Sequence, residues 1–374
     1  MWDAVPILRA IVDGRRDGHD EPQSKVAHDR MKPRYGIVDA SVPCPGLKYP
    51  TFGKPPFDDV GPGDPLFGKL VMDVPEYALI HAAALGLLPE WDRYWSHLLV
   101  RGHDAGGPAS HASSALRRLT RVLLQQERMR RITSHVPTVE ESDELLDILT
   151  LVFVHLMGAF DALALVAAEV IGIEVEERNI AWQSQRFFNP LAAKAPTLAA
   201  LFAPQSEGAR SLAAIRTVRN TIHKQMPNPA QVHRDGGDPA HDHTSILFER
   251  GAHDEVLKAL DAAGWSRFIF KAGVHPESLR EAKRIDIAGV TRTADILAIR
   301  PDNLFSTGLS DGVPLLNAIM AATPVETFGE PIALPDPGRT LYPLTLRRYA
   351  VDKCRLTHLA KHLGVLPDIE DTEP

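Results

Sequence analysis

The sequence predicts a mainly α protein: a helical bundle, a small α+β insertion, and an extended Pro/Gly-rich arm at the N-terminus. Three observations carry that prediction. Apolar residues recur at helical spacing over long stretches, a window of about 70 residues switches to short strand-like runs, and the first 70 residues hold too many breakers for either pattern. In residue numbers the expected organisation is an arm over 1–70, a bundle over 71–228, a loop with the α+β insertion over 229–300, and returning helices with an acidic tail over 301–374.

Composition permits this. At 374 residues with 44% hydrophobic and 24% charged residues, the chain can bury a substantial core, and the balance excludes a disordered or fibrous protein. The two cysteines, Cys44 and Cys354, lie far apart and have no neighbours at ligand spacing, so no disulfide framework is expected. The N-terminus lacks a basic region followed by an apolar run, which makes the cytoplasm the expected location. Residues Ile148 to Phe160 form thirteen positions free of Asp, Glu, Lys and Arg. A spanning helix needs roughly 20 apolar residues, so this run is expected to be a buried core helix.

In the arm, Pro43-Cys44-Pro45-Gly46 and Gly61-Pro62-Gly63-Asp64-Pro65 forbid long helices. The glycines of the second run do not make a nucleotide loop, because no strand precedes them and the prolines remove backbone donors. Helical signals begin at Asp73, a candidate cap before Pro75, and run from Glu76 to Leu88. A second helix is expected over Ser110–Ile132, where Leu116, Leu119, Leu123 and Leu124 recur. A third begins with the capping box Thr138-Val139-Glu140-Glu141 and runs to about Ile173. A fourth spans Gly208 to Gln225 and ends before Pro227 and Pro229.

The Pro-, Gly- and His-rich stretch Pro227 to Thr244 should be a loop. Strand-like runs follow at 245–248, 267–270, 284–287 and 293–299, with one helix over Asp254–Ala263. Helices resume at Asp311–Ala322 and Leu346–Leu363, and the acidic tail after Pro367 should be loose.

The fourth helix carries the chemistry. On a helical wheel Arg216, Arg219, Asn220 and His223 fall within a sector of about 100°, opposite the aliphatic stripe Ile215, Val218 and Ile222. Arginine offers a permanent charge and a planar donor fork suited to phosphate, and histidine moves protons near neutral pH. A plain solvated face would be filled by Glu and Lys, whereas Asn and His are weaker helix formers. Asp161 interrupts the long apolar helix. It either pairs with Arg216 or Arg219 or faces solvent at a helix edge.

The Arg216–His223 segment resembles the Arg/His motif of HEPN-type helical ribonucleases. Six residues separate Arg216 from His223, and Arg219-Asn220 looks like the polar step of that motif. Spacing and polar step belong to different arginines, so either can be the phosphate ligand. The resemblance covers about Asp143 to Lys224 and leaves the arm and the insertion unexplained. It implies a HEPN-like bundle, a homodimer that joins two motif helices around one RNA cleft, and metal-independent cleavage to a 2′,3′-cyclic phosphate. His223 would be the acid or base, Arg216 or Arg219 the phosphate ligand, Asn220 the orienting residue, and the biological role that of a toxin or defence effector. A non-catalytic scaffold that binds RNA or protein is the alternative.

With a net charge of −7, attraction for RNA must be local. Arg117, Arg118, Arg121 and Arg128 on the second helix are the candidate RNA-binding stripe, against the alternative of a solvated face. No cofactor and no metal is expected. His233, His241 and His243, with Asp235, Asp238 and Asp242 nearby, match no compact ligand spacing.

Overall fold

The computed structural model describes residues 76–102, 104, 106–133, 138–224, 227–232, 243–249, 252–265, 282–287, 290–332 and 344–365. The N-terminal arm, the Asp73 cap expected for the first helix, the strand expected at 267–270, and the acidic tail lie outside these residues. What is described is mainly α, a helical bundle whose long helices pack around one core.

Helix α1 (Glu76–Gly86) is followed by a short α2 (Trp91–Leu98), then α3 (Pro108–Thr133) and α4 (Val139–Ile171). The N-terminus of α4 forms as the sequence predicts. Thr138 Oγ1 accepts from the Glu141 amide at 3.2 Å, and Glu141 Oε2 accepts from the Thr138 amide at 2.8 Å. Its C-cap Gly172 has φ 66°, a conformation glycine adopts without a Cβ clash. Within α4 an apolar window reaches a mean hydropathy of 2.1. Leu149, Phe153, Phe160 and Leu163 on it are fully buried, because α3, α7 (Glu207–Lys224) and α9 (Pro301–Ala322) pack along it.

Between α4 and α7 stand two short helices, α5 (Gln185–Lys194) and α6 (Pro196–Ala200). Neither is visible to periodicity, since Pro190 sits inside α5 and Pro196 opens α6. A four-stranded antiparallel sheet follows, with β1 (Asn228–Val232), β2 (His243–Glu249), β3 (Ala282–Ile287) and β4 (Val290–Ile299) in the order β1-β2-β4-β3. Helix α8 (Ala252–Ala262) packs on β2 and β4 and runs beside α7.

Three expectations need correction. Residues 228–232, expected as loop, form β1. It is an edge strand, where the amide that Pro229 lacks is tolerated. Helix α9 begins ten residues before the expected Asp311, at Pro301, and runs through Gly308, Gly312 and Pro314. Its two glycines face Phe153 and Leu156 of α4, and a Cβ at Gly312 would fall 3.1 Å from Leu156, so the lack of side chains at these positions lets the helices approach. The single C-terminal helix is two, α10 (Leu344–Lys353) and α11 (Thr357–His362), broken where Arg355 takes φ 56°.

Buried polar groups tie the bundle. Arg347 of α10 donates from both terminal nitrogens to Asp92 of α2, at 3.0 and 2.9 Å. Asp311 of α9 accepts from Ser211 Oγ of α7 at 2.8 Å and from Trp265 Nε1 at 2.5 Å, fixing α7 against α9. His81 of α1 meets Thr120 Oγ1 of α3 at 2.9 Å, and the Thr120 hydroxyl is already donated to the Leu116 carbonyl, so Nδ1 is the donor. Burial, and then the Arg347 charge, push the His81 imidazole down to about 4.

This depressed value sets a pH dependence. Between the unfolded value of about 6.5 and the folded value the unfolded chain binds the extra proton, so stability is complete above pH ~6.5 and is lost as pH falls. The expected loss is about 3 kcal/mol by pH ~4. Urea unfolding at several pH values should show that slope, and His81→Asn, which keeps a donor near Nδ1 but does not titrate, should flatten it.

Candidate functional site

Helix α7 docks through Leu212, Ile215, Val218 and Ile222, all buried, as the aliphatic stripe predicts. Its polar sector divides. Arg216, Arg219 and Asn220 line a pocket of about 410 Å³ with Asp161 and Met157 of α4 and with Arg178, Trp182 and Gln183 from the connection before α5. His223 is not among the lining residues. It lies about one turn farther on, exposed beside Lys224.

The connection is held in place from α4. Trp182, buried under Phe202 with ring centroids 4.3 Å apart, donates Nε1 to the Phe160 carbonyl at 2.8 Å. The next residue, Gln183, accepts through Oε1 from Arg216 Nη1. Arg219 Nη1 donates to Asn220 Oδ1 at 2.9 Å, while Arg219 Nε is buried without a hydrogen-bond partner. One guanidinium is thus aimed by the connection and the other by its own neighbour.

Asp161 keeps an exposed surface and lines the pocket without an ion pair closer than 4 Å. Its carboxyl is raised above the ordinary range, because desolvation outweighs the lowering influence of Arg118, Arg219 and Arg216. Three guanidinium charges, on Arg118, Arg219 and Arg216, therefore act on one carboxylate. Of the two alternatives for Asp161, pairing with an α7 arginine or facing solvent at a helix edge, its exposure fits the second, with the arginines attracting it at longer range. Arg178, also on the wall, is engaged by Glu176 at 2.7 Å.

Arg118 reaches this site from α3. Its guanidinium lies on Gly158 of α4, where a Cβ would fall 2.7 Å from Cζ. His155, Gly158 and Asp161 follow at three-residue spacing and form one ridge of α4. His155 is half-buried and its Nδ1 has no hydrogen-bond partner. Burial first, then Arg118 and Arg121, lower its pKa, so the ring is neutral at neutral pH. Sequence reasoning missed His155, Gly158, Arg178 and Gln183. The first two were legible only as interruptions of an apolar run, and the others carry no local signal.

The α3 stripe also divides. Arg117, Arg121 and Arg128 are exposed, Arg118 turns inward, and Arg130 is tied to Glu127 at 2.7 Å and to the Cys354 carbonyl at 2.8 Å. Among the described residues no three His, Cys, Asp or Glu side chains gather as metal ligands would; His233 and His241 lie outside them.

Fold and site together define a helical protein with an arginine-lined pocket between α4, α7 and the connection before α5. No protein-family model matches the chain, and no curated protein or solved structure is significantly similar to it.

Gly158 tests the electrostatic arrangement. Gly158→Ala displaces only the far end of the flexible Arg118 side chain, and alanine favours the helix by up to about 1 kcal/mol. Stability should be unchanged or slightly higher. Titration by NMR should show His155 moving up, because a neighbouring positive charge has withdrawn, and Asp161 moving up for the same reason. Unmoved titrations would mean that Arg118 does not act on this ridge.

Proposed function

We propose that the protein is a HEPN-like, metal-independent endoribonuclease that acts as a homodimer. The observation that carries this reading is the gathering of Arg216, Arg219 and Asn220 of the motif helix around one pocket with Asp161 as its only lining carboxylate among the described residues. Guanidinium groups in a partly desolvated site stabilise charge developing on a phosphate more strongly than they would in water. Arg117, Arg121 and Arg128, exposed on α3, would add cations at which RNA phosphates displace counterions.

In this reading one histidine removes the ribose 2′-hydroxyl proton as O2′ bonds to phosphorus. The P–O5′ bond breaks, and a second histidine protonates the departing O5′. The products are a 2′,3′-cyclic phosphate and a 5′-hydroxyl. His223 supplies one of these groups, and the second copy of the motif helix supplies the other across a two-fold axis. Arg216 and Arg219 hold the phosphate, and Asn220 orients Arg219. Such an activity suits a toxin or defence effector.

A second reading, a scaffold that binds RNA or protein without cleaving, is favoured by one observation: His223 stands outside the pocket. Incubation of the purified protein with total RNA in EDTA separates the two. The expected results are cleavage by the wild type, a dimer in light scattering, and a loss of at least about 10² in rate for His223→Ala. Because His223 is exposed, the variant should keep its stability within about 0.5 kcal/mol. Cleavage retained by folded His223→Ala removes the catalytic assignment. Binding without cleavage selects the scaffold, and a monomer that stays monomeric on RNA removes the shared cleft.

A further inference from the structure

Beside the basic pocket lies a second, apolar one. It measures about 90 Å³ and is lined by Trp182, Gln183, Gln185, Phe188, Phe202 and Ala209. Trp182 and Gln183 line both pockets and form the wall between them. The two compartments differ in chemistry. One presents guanidinium groups, and the other presents aromatic and aliphatic carbon with two side-chain amides.

We infer that the apolar slot receives the pyrimidine base of a nucleotide whose phosphate lies on Arg216 and Arg219. This rests on the ribonuclease reading and names the substrate unit that the site selects. The argument for the occupant is continuity with the basic pocket: the phosphate and base of one nucleotide differ in the same way as the two compartments, and a shared wall brings both within reach of one molecule.

The walls have complementary duties. Trp182 and Phe202 are buried and stacked on each other, which gives the slot a rigid floor. Phe188 is the aromatic lining residue that keeps exposed surface, so it is the one available to an entering ring. Gln183 and Gln185 are exposed at the rim. Gln183 gives its Oε1 to Arg216, which leaves its amide donors for a base carbonyl.

Size selects the ring. A cavity of roughly 150 Å³ encloses a benzene ring whole. A smaller, open slot takes one edge of a single ring and leaves the other edge at the rim, where the glutamines stand. The second ring of a purine would have to remain outside. Unstacked bases read in this way, by an aromatic side chain and groups at their polar edge, are the usual basis of single-stranded RNA recognition.

Isothermal titration of the full chain with ribose 5-phosphate, uridine 5′-monophosphate and adenosine 5′-monophosphate tests this. The expected result is that the uridine nucleotide binds about tenfold more tightly than ribose 5-phosphate, with the adenosine nucleotide gaining less, as one base stacked on an aromatic side chain provides. Ala209→Phe, which fills the slot, should bring that ratio to about one while ribose 5-phosphate affinity and the melting temperature persist. Phe188→Ala, which opens the slot instead, should lower the ratio as well and serves if the filled variant fails to fold. A wild-type ratio near one, a ratio that survives in folded Ala209→Phe, or an equal gain for adenosine overturns the slot. If ribose 5-phosphate does not bind, or binds equally to Arg216→Ala, the phosphate pocket falls and the slot falls with it. Loss of base preference alone leaves the phosphate pocket standing.

Discussion

The burial of α4 on several sides is the constraint from which the rest of the structure follows. A helix packed by α3, α7 and α9 must present apolar side chains in most directions, and Leu149, Phe153, Phe160 and Leu163 do so. Polar residues survive on such a helix only where neighbouring helices leave a seam or supply partners. On α4 that seam is the ridge His155, Gly158 and Asp161. Its position dictates where Arg118 can lie, which charges Asp161 meets, and against what α7 presents its arginines.

The site is therefore assembled by packing more than by the motif itself. Trp182 hangs the connection on the Phe160 carbonyl, and this hydrogen bond brings Gln183 to Arg216. Asp311 fixes α7 from the other side through Ser211 and Trp265. Each tie joins residues distant in sequence, so the geometry of the arginines reports on the whole bundle. A partly desolvated carboxylate amid three guanidinium groups has its proton affinity set by opposing effects, and desolvation wins at Asp161. An anion entering the pocket would add the negative charge that this arrangement lacks.

Much of the bundle was legible in the sequence because its signals are local. The Thr138–Glu141 capping box, the leucine spacing of α3 and the stripe Ile215, Val218 and Ile222 each act within a few residues, and each stands where periodicity put it. What escaped depends on tertiary contact. The first ten residues of α9 were not assigned to a helix, and the close approach of Gly308 to Phe153 and of Gly312 to Leu156 is a contact between helices that no local signal carries. Pro229 argued against a strand until β1 proved to be an edge. At the site, the polar sector of α7 was legible, but its division was not, because the connection before α5 and the α4 ridge form a pocket that only three of its four residues line. Nothing in the spacing of Arg216 and His223 indicates that a pocket wall ends between them.

That division bears on how a polyanion would be recognised. The chain carries a net charge of −7, so its long-range field does not draw RNA in. At physiological ionic strength charges are screened beyond about 8 Å, and the distant acidic residues then matter little at the pocket. Recognition falls to groups within that distance: Arg118, Arg216 and Arg219 around Asp161, with the apolar slot beyond Trp182. Steering is weak under these conditions, so selectivity must reside in short-range contacts and therefore in dissociation rates rather than encounter rates. On the proposed reading, a nucleotide that satisfies both the guanidinium groups and the slot would be retained, and one that offers phosphate alone would dissociate faster.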